Sequence, residues 1–105
     1  MKLNDPGASL YVIRNLAKDG WNGLLRYYEG EVWRLKGGKG DDALAGRSYA
    51  AAIRYPDAPP EAWRAHGYQL LKEGRSEEGK AALNRYLALA PRAPDAAMVR
   101  HSANQ

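Results

Sequence analysis

The chain has 105 residues, of which 45% are hydrophobic and 27% are charged, as in one soluble globular domain and unlike a disordered protein. Its net charge is +4, and each half of the chain has eight basic and six acidic side chains, so no basic block indicates nucleic-acid binding. The absence of cysteine excludes disulfide scaffolds, cysteine zinc sites and thiol catalysis.

Glycine and proline divide the first half of the chain into segments of helical length. A leading helix is predicted over residues 8–19, where Asp5 would cap the N-terminus and Pro6 would occupy the first helical position. Residues 21–56 are predicted to form two further helices. The glycine-rich stretch 37–40 separates them, and Pro56 ends the second.

The second half continues the same pattern. Residues 59–91 are predicted to form two helices that are separated near Gly74, and Glu77 and Glu78 suit the positive end of the second helix dipole. A short helix is predicted within residues 94–105. Because no stretch alternates with period two, we predict an all-α fold of about six helices in a single domain, residues 1–105.

An internal repeat is visible when the chain is aligned with itself. An offset of 37 residues places Gly30 on Gly67, and an offset of 34 residues places Tyr49 on Leu83. The three-residue difference fits within residues 38–40, a loop in which insertions cost little. Two helix–turn–helix units of about 34 residues have the period of the tetratricopeptide repeat.

Two stretches of the second unit carry a resemblance to this family. Its first helix and turn are matched by PEAWRAHGYQLLKEG, residues 60–74, and its second helix and closing proline by EGKAALNRYLALAP, residues 78–91. The resemblance implies antiparallel helices that stack into a superhelix. Gly67 and Gly79 would allow the helices to approach closely, and the space around them would be filled by Trp63, Leu70, Leu83 and Leu87.

The first unit, residues 21–56, departs from the family pattern. Arg26 and Glu29 stand at the positions that match Trp63 and His66, where the family prefers apolar side chains. The ending RYLALAPRAPDAAMVR, residues 85–100, resembles the C-terminal tails of bacterial repeat proteins, including envelope lipoproteins and certain zinc metalloproteases. This likeness implies that residues 94–105 cap the last repeat, and that the chain is part of a longer protein.

No residue pattern predicts catalysis or a cofactor. The two histidines, His66 and His101, lack metal-ligand spacing, and His66 is expected to be a hydrogen-bonded core residue. The glycines of residues 37–40 lack the spacing of a phosphate-binding loop. We therefore expect no enzyme, no metal and no cofactor.

The family resemblance implies a protein-interaction module whose concave groove is lined by the first helix of each repeat. We expect its partner to be a protein or peptide segment that is apolar and carries an acidic side chain, and we expect Arg64 and Tyr68 to lie outside the core. Tyrosine and arginine are enriched at binding hot spots. The candidate groove residues are Tyr27, Glu31, Arg34, Arg64, Tyr68 and Lys72.

Two alternatives stay open. The chain could be an accessory C-terminal domain of a larger enzyme or envelope lipoprotein, or a self-association module, since stacked repeats usually need three or more units. No apolar run reaches the roughly 20 residues that cross a bilayer, and the start of the chain lacks the apolar stretch of a signal peptide. We therefore expect a soluble protein without membrane insertion, in the cytoplasm or the periplasm.

Overall fold

The computed structural model describes residues 6–105, which form α-helices and no strand. The predicted all-α fold is confirmed, and the described residues form six α-helices, as predicted. Asp5, the predicted N-cap, lies outside the described residues. The helices are α1 (Pro6–Leu16), α2 (Gly23–Lys36), α3 (Asp41–Ala52), α4 (Pro60–Lys72), α5 (Ser76–Leu89) and α6 (Ala96–Ala103), and a 3-10 turn, Ala17–Asp19, follows α1.

The chain divides into two compact units, which are described separately. Unit 1 is Met1–Pro59 and contains α1, α2 and α3, whereas unit 2 is Pro60–Gln105 and contains α4, α5 and α6. The division lies next to the junction predicted between the two repeats, at residues 56–59.

In unit 1, α2 and α3 form an antiparallel hairpin. The Asn22 side chain caps α2 by accepting a hydrogen bond from the Leu25 N–H at 2.8 Å. Gly37 ends α2 with a φ of 65°, a left-handed conformation that favours glycine. At the other end of the hairpin, the Gly23 N–H donates to Asp57 Oδ1 at 3.0 Å. This bond fixes the chain after α3 beside the start of α2.

The crossing of α2 and α3 is centred on Gly30. A Cβ atom at this position would lie 2.5 Å from the ring of Tyr49, which is only 2% exposed. Because glycine has no Cβ atom, Gly30 allows the two helices to approach closely. Within residues 9–59, the buried apolar residues are Leu10, Ile13, Ala17, Ala45, Tyr49 and Ala52.

In unit 2, α4 and α5 cross at Gly67 and Gly79, which confirms the predicted close approach. A Cβ atom on Gly67 would lie 2.7 Å from Leu83 Cδ2 and 3.0 Å from the Gly79 carbonyl oxygen. Helix α6 packs on α5 and completes a core cluster of Leu83, Tyr86, Val99 and Ala103, against which Trp63, Tyr68, Leu71, Leu87, Ala90 and Ala93 pack.

Each hairpin has a helix crossing at an equivalent glycine. Gly30 contacts Tyr49 in unit 1, and Gly67 contacts Leu83 in unit 2. These pairs are related by the offsets of 37 and 34 residues that the sequence alignment predicts. The internal repeat is therefore reflected in equivalent contacts and not only in matching residue types.

Candidate functional site

Three predicted groove residues, Tyr27, Glu31 and Arg34, lie together on α2. Glu31 accepts hydrogen bonds from the Tyr49 hydroxyl at 2.6 Å and from Arg34 Nη2 at 2.8 Å. The ring centroids of Tyr27 and Tyr49 are 6.1 Å apart. Burial and the bond to Glu31 raise the pKa of Tyr49, and the same carboxylate raises the pKa of Arg34. These contacts join the predicted residues of α2 to α3.

Beside these residues, large apolar side chains are exposed along α2. Leu24, Tyr28 and Leu35 are 41%, 47% and 64% exposed. Together with Glu31 they are spaced by four, three and four residues, so they lie on one side of the helix. We call Leu24, Tyr28, Glu31 and Leu35 the α2 stripe. Tyr28 is not among the predicted groove residues, although its spacing from Leu24 and Glu31 could have indicated it.

In unit 2, Arg64 forms a polar triad with Tyr86 and Asp95. Arg64 Nη1 donates to Asp95 Oδ2 at 2.8 Å, and the Tyr86 hydroxyl donates to Asp95 Oδ1 at 2.6 Å. The Arg64 guanidinium also lies 5.3 Å from the centroid of the Tyr86 ring. The bond from Tyr86 and the charge of Arg64 lower the pKa of Asp95. Because Asp95 directly precedes α6, the triad ties this helix to α4 and α5.

Of the two residues expected outside the core, Arg64 has a side chain that is 31% exposed, whereas for Tyr68 the expectation is wrong. Tyr68 packs against the core cluster, and its hydroxyl lies 3.4 Å from Ser102 Oγ on α6. Ser102 of α6 and Asp95 just before it therefore contact Tyr68 and Arg64 of α4. Lys72, the third predicted residue of unit 2, is exposed at the end of α4. The role of these residues in partner binding stays a prediction.

We expect Arg64→Gln to loosen α6. The substitution removes the charge that Asp95 pairs with, and the bond is partly exposed, so the cost is about 1–2 kcal/mol of the free energy of unfolding. Hydrogen exchange of the α6 amides measures the effect directly. Arg92→Gln, at an exposed position, is the control. If the α6 amides exchanged at the same rate in the Arg64→Gln variant as in the unmodified protein, the Arg64–Asp95 contact would not hold α6 in place.

Unit 1 contains a polar cluster around Arg26 and Glu29, the two positions at which the repeat pattern would place apolar side chains. Glu29, only 8% exposed, accepts hydrogen bonds from Arg26 Nη1 at 3.0 Å and from Ser48 Oγ at 2.9 Å. The Arg26 guanidinium lies 3.8 Å from the centroid of the Trp21 ring, and its Nε is buried without a hydrogen-bond partner among the described residues. An open pocket of about 220 Å³ adjoins this cluster. We call it the arginine pocket, and it is lined by Arg14, Arg26, Glu29, Trp33, Leu44, Arg47 and Ser48.

The equivalent position in unit 2 is His66, and its surroundings differ. The sequence offsets that match Glu29 to His66 also match Ser48 to Ala82, which has no side-chain hydrogen-bonding group. His66 Nδ1 is buried and has no partner within the described part of the chain, so the expected hydrogen bond is not found. Burial, and secondarily the charge of Arg75, lower the pKa of His66.

This lowered pKa predicts that unit 2 loses stability as the pH falls below about 6.5, because the unfolded chain then binds a proton that the folded His66 does not. Glu73 and Glu78 oppose the shift, whereas Arg75 contributes to it. Urea unfolding at about pH 7.5 and about pH 5.5 measures the loss. His66→Gln should reduce it, and the exposed His101→Gln should not. If the free energy of unfolding fell equally in the His66→Gln variant and in the unmodified protein, His66 would not be the source of the pH dependence.

Other site types are not found among the described residues. Residues 6–105 contain no group of three or more histidine or acidic side chains that could hold a metal ion, and none of their helices has the length and apolar character to cross a bilayer. Comparison of the chain with protein-family models, curated proteins and solved structures finds no match. Its function must therefore be argued from its own geometry.

Proposed function

We propose that the chain is a non-enzymatic protein-interaction module of the tetratricopeptide-like type, which binds an apolar segment of another protein along α2. The α2 stripe is the observation that carries this proposal. It places three large apolar side chains in solvent on a helix whose other side packs against α3. Large apolar side chains exposed along one side of a helix are a recurrent feature of helix and peptide recognition.

The charges at one end of the stripe define the partner further. Arg34 and Lys36 follow Glu31 on α2, and their side chains are 54% and 48% exposed beside Leu35. Glu31 itself is compensated by Arg34 and Tyr49. Arg34 pairs with Glu31 at 2.8 Å and Lys36 with Asp41 at 3.6 Å, so an acidic side chain on the partner would share these two cations with Glu31 and Asp41. Arg64, which pairs with Asp95, is not needed for this contact.

Selection of a phage-displayed library of random peptides on the immobilised protein tests this proposal. We expect the enriched peptides to be apolar with a nearby acid. When synthesised, they should bind with a Kd of about 10–100 μM, because a single helix face is a small interface. Replacing the acid of a selected peptide by its amide should weaken binding about threefold or more.

Two matched double variants test whether the selected peptides bind at the α2 stripe. Tyr28→Ser with Leu35→Ser removes apolar surface from the stripe, whereas Leu89→Ser with Met98→Ser removes exposed apolar surface from unit 2. We expect the first pair to weaken peptide binding about tenfold or more and the second to leave it nearly unchanged. Equal binding by both variants, or no enrichment over the bare support, would overturn the proposal. A dimer that depends on the stripe would instead assign this surface to a second copy of the chain.

A further inference from the structure

The arginine pocket concentrates positive charge from three helices. Arg14 on α1, Arg26 on α2 and Arg47 on α3 line one pocket together with a single carboxylate, that of Glu29. The lining side chains therefore have a net charge of +2. Residues from three separate helices contribute to this charge, so it is a product of the folded unit and not of one basic segment.

One oxygen of the pocket's carboxylate is already engaged by side chains of the same unit. Glu29 Oε1 accepts from both Arg26 and Ser48, and the residue is 8% exposed. Arg14 and Arg47 are exposed, and the ion pairs of residues 6–105 join neither of them to an acid. Two guanidinium groups thus line the pocket with their donors available to an anion, while Arg26 is held in place by Glu29 and Trp21.

The size and walls of the pocket limit what such an anion can be. The volume is about 220 Å³, enough for one oxyanion group and a short stem. Trp33 and Leu44 supply an apolar wall beside the arginines, against which an aromatic or aliphatic stem can pack. Free inorganic ions do not use this wall.

We propose that the arginine pocket binds a phosphate monoester on an apolar stem. A phosphate monoester carries a charge of about −1.5 to −2 at neutral pH, which balances the +2 of the lining, whereas a monocarboxylate balances half of it. Guanidinium groups also match phosphate oxygens through paired N–H donors. The site is separate from the α2 stripe, since the two share no residue, and it does not depend on the proposed function.

Calorimetric titration of the full chain with phenyl phosphate, at an ionic strength of about 20 mM, tests the assignment, because low salt limits the screening of exposed charges. We expect saturable binding with a Kd below about 1 mM. Arg47→Gln should weaken it about tenfold, and Arg14→Gln with Arg47→Gln should abolish it. Both positions are exposed, so circular dichroism should show unchanged folding. Arg54→Gln, exposed in the same unit, is the control and should bind as the unmodified protein does.

Three further ligands test which chemical group the pocket recognises and whether that group belongs to a protein or to a small molecule. Benzoate should bind at least about tenfold more weakly than phenyl phosphate, because it carries one charge, and inorganic phosphate should also bind more weakly because it lacks the stem. A short phosphotyrosine peptide distinguishes the sources: tighter binding than phenyl phosphate indicates a modified protein, and equal or weaker binding indicates a small phosphorylated molecule. Absence of phenyl phosphate binding, benzoate binding of equal strength, or unchanged binding by the double arginine variant would overturn the proposal.

Discussion

Gly67→Leu is expected to lower the free energy of unfolding of unit 2 by about 3 kcal/mol, the upper end of the usual range for overpacking. Even the Cβ atom would lie 2.7 Å from Leu83 Cδ2 and 3.0 Å from the Gly79 carbonyl oxygen. The second contact is with backbone, so a change of rotamer cannot relieve it. The gain of up to about 1 kcal/mol from a better helix former offsets only part of this cost.

The measurement should report on unit 2 alone. Trp63 is the one tryptophan of residues 60–105, so its fluorescence, in a variant with Trp21 and Trp33 replaced by phenylalanine, follows unit 2 during urea unfolding. Ala81→Leu adds a similar side chain at an exposed position of α5 and is expected to change stability by less than about 0.5 kcal/mol. A Gly67→Leu protein of unchanged or raised stability would show that the α4–α5 crossing is misplaced.

Leu83→Ala is expected to cost about 2–5 kcal/mol, because it leaves a cavity in the core cluster. Leu83 is fully buried and packs with Tyr86, Val99 and Ala103. The same unfolding experiment measures this loss. Leu89→Ala, which truncates a leucine that is 43% exposed on the same helix, is the control and should cost clearly less.

Combining Leu83→Ala with Gly67→Ala provides a sharper test of the same contact. Two of the three atoms nearest to a Cβ on Gly67 belong to the Leu83 side chain, and the third is the Gly79 carbonyl oxygen. Truncating Leu83 should therefore relieve part of the cost of Gly67→Ala, and the double variant should be more stable than the sum of the two single losses predicts. Simple additivity would mean that the two residues do not meet.

The sequence predicts the helices and the close approach at Gly67 and Gly79, because glycine, proline and the internal repeat mark them. Glycine and proline mark the ends of most helices, and the self-alignment identifies Gly30 and Gly67 as equivalent positions before any contact is known. The structure places both at close crossings with Tyr49 and Leu83. Because glycine is an unfavourable residue within a helix, its presence at both equivalent positions indicates that a neighbouring helix approaches closely there.

The predicted groove of unit 2 depends on information that local patterns do not contain. Arg64 and Tyr68 have the composition of a binding surface, but the side of the hairpin on which α6 folds determines whether they are exposed. On the observed side, Asp95 and Ser102 meet Arg64 and Tyr68, from which they are 31 and 34 residues away in sequence. Periodicity within α4 cannot reveal such contacts.

The arginine pocket was not predicted, because the residues that line it are also far apart in sequence. The sequence marks Arg26 and Glu29 as departures from an apolar pattern, but Arg14 and Arg47 have no sequence relation to them. The packing of α1 and α3 on α2 brings the three arginines to one pocket. The polar residues Arg26 and Glu29 were therefore the one signal of this pocket in the sequence. The charge of the pocket can be inferred only when the positions of α1 and α3 are known.

The two glycine crossings should constrain the variation of this sequence in different ways. The three atoms nearest to a Cβ on Gly30 all belong to the Tyr49 side chain, whereas those nearest to a Cβ on Gly67 or on Gly79 include the other residue's carbonyl oxygen, at 3.0 Å and 2.9 Å. A larger residue 30 can therefore be compensated by a smaller residue 49, but no side-chain change elsewhere can move a carbonyl oxygen at the second crossing. Among functional variants, residues 30 and 49 should change together, while 67 and 79 should remain glycine.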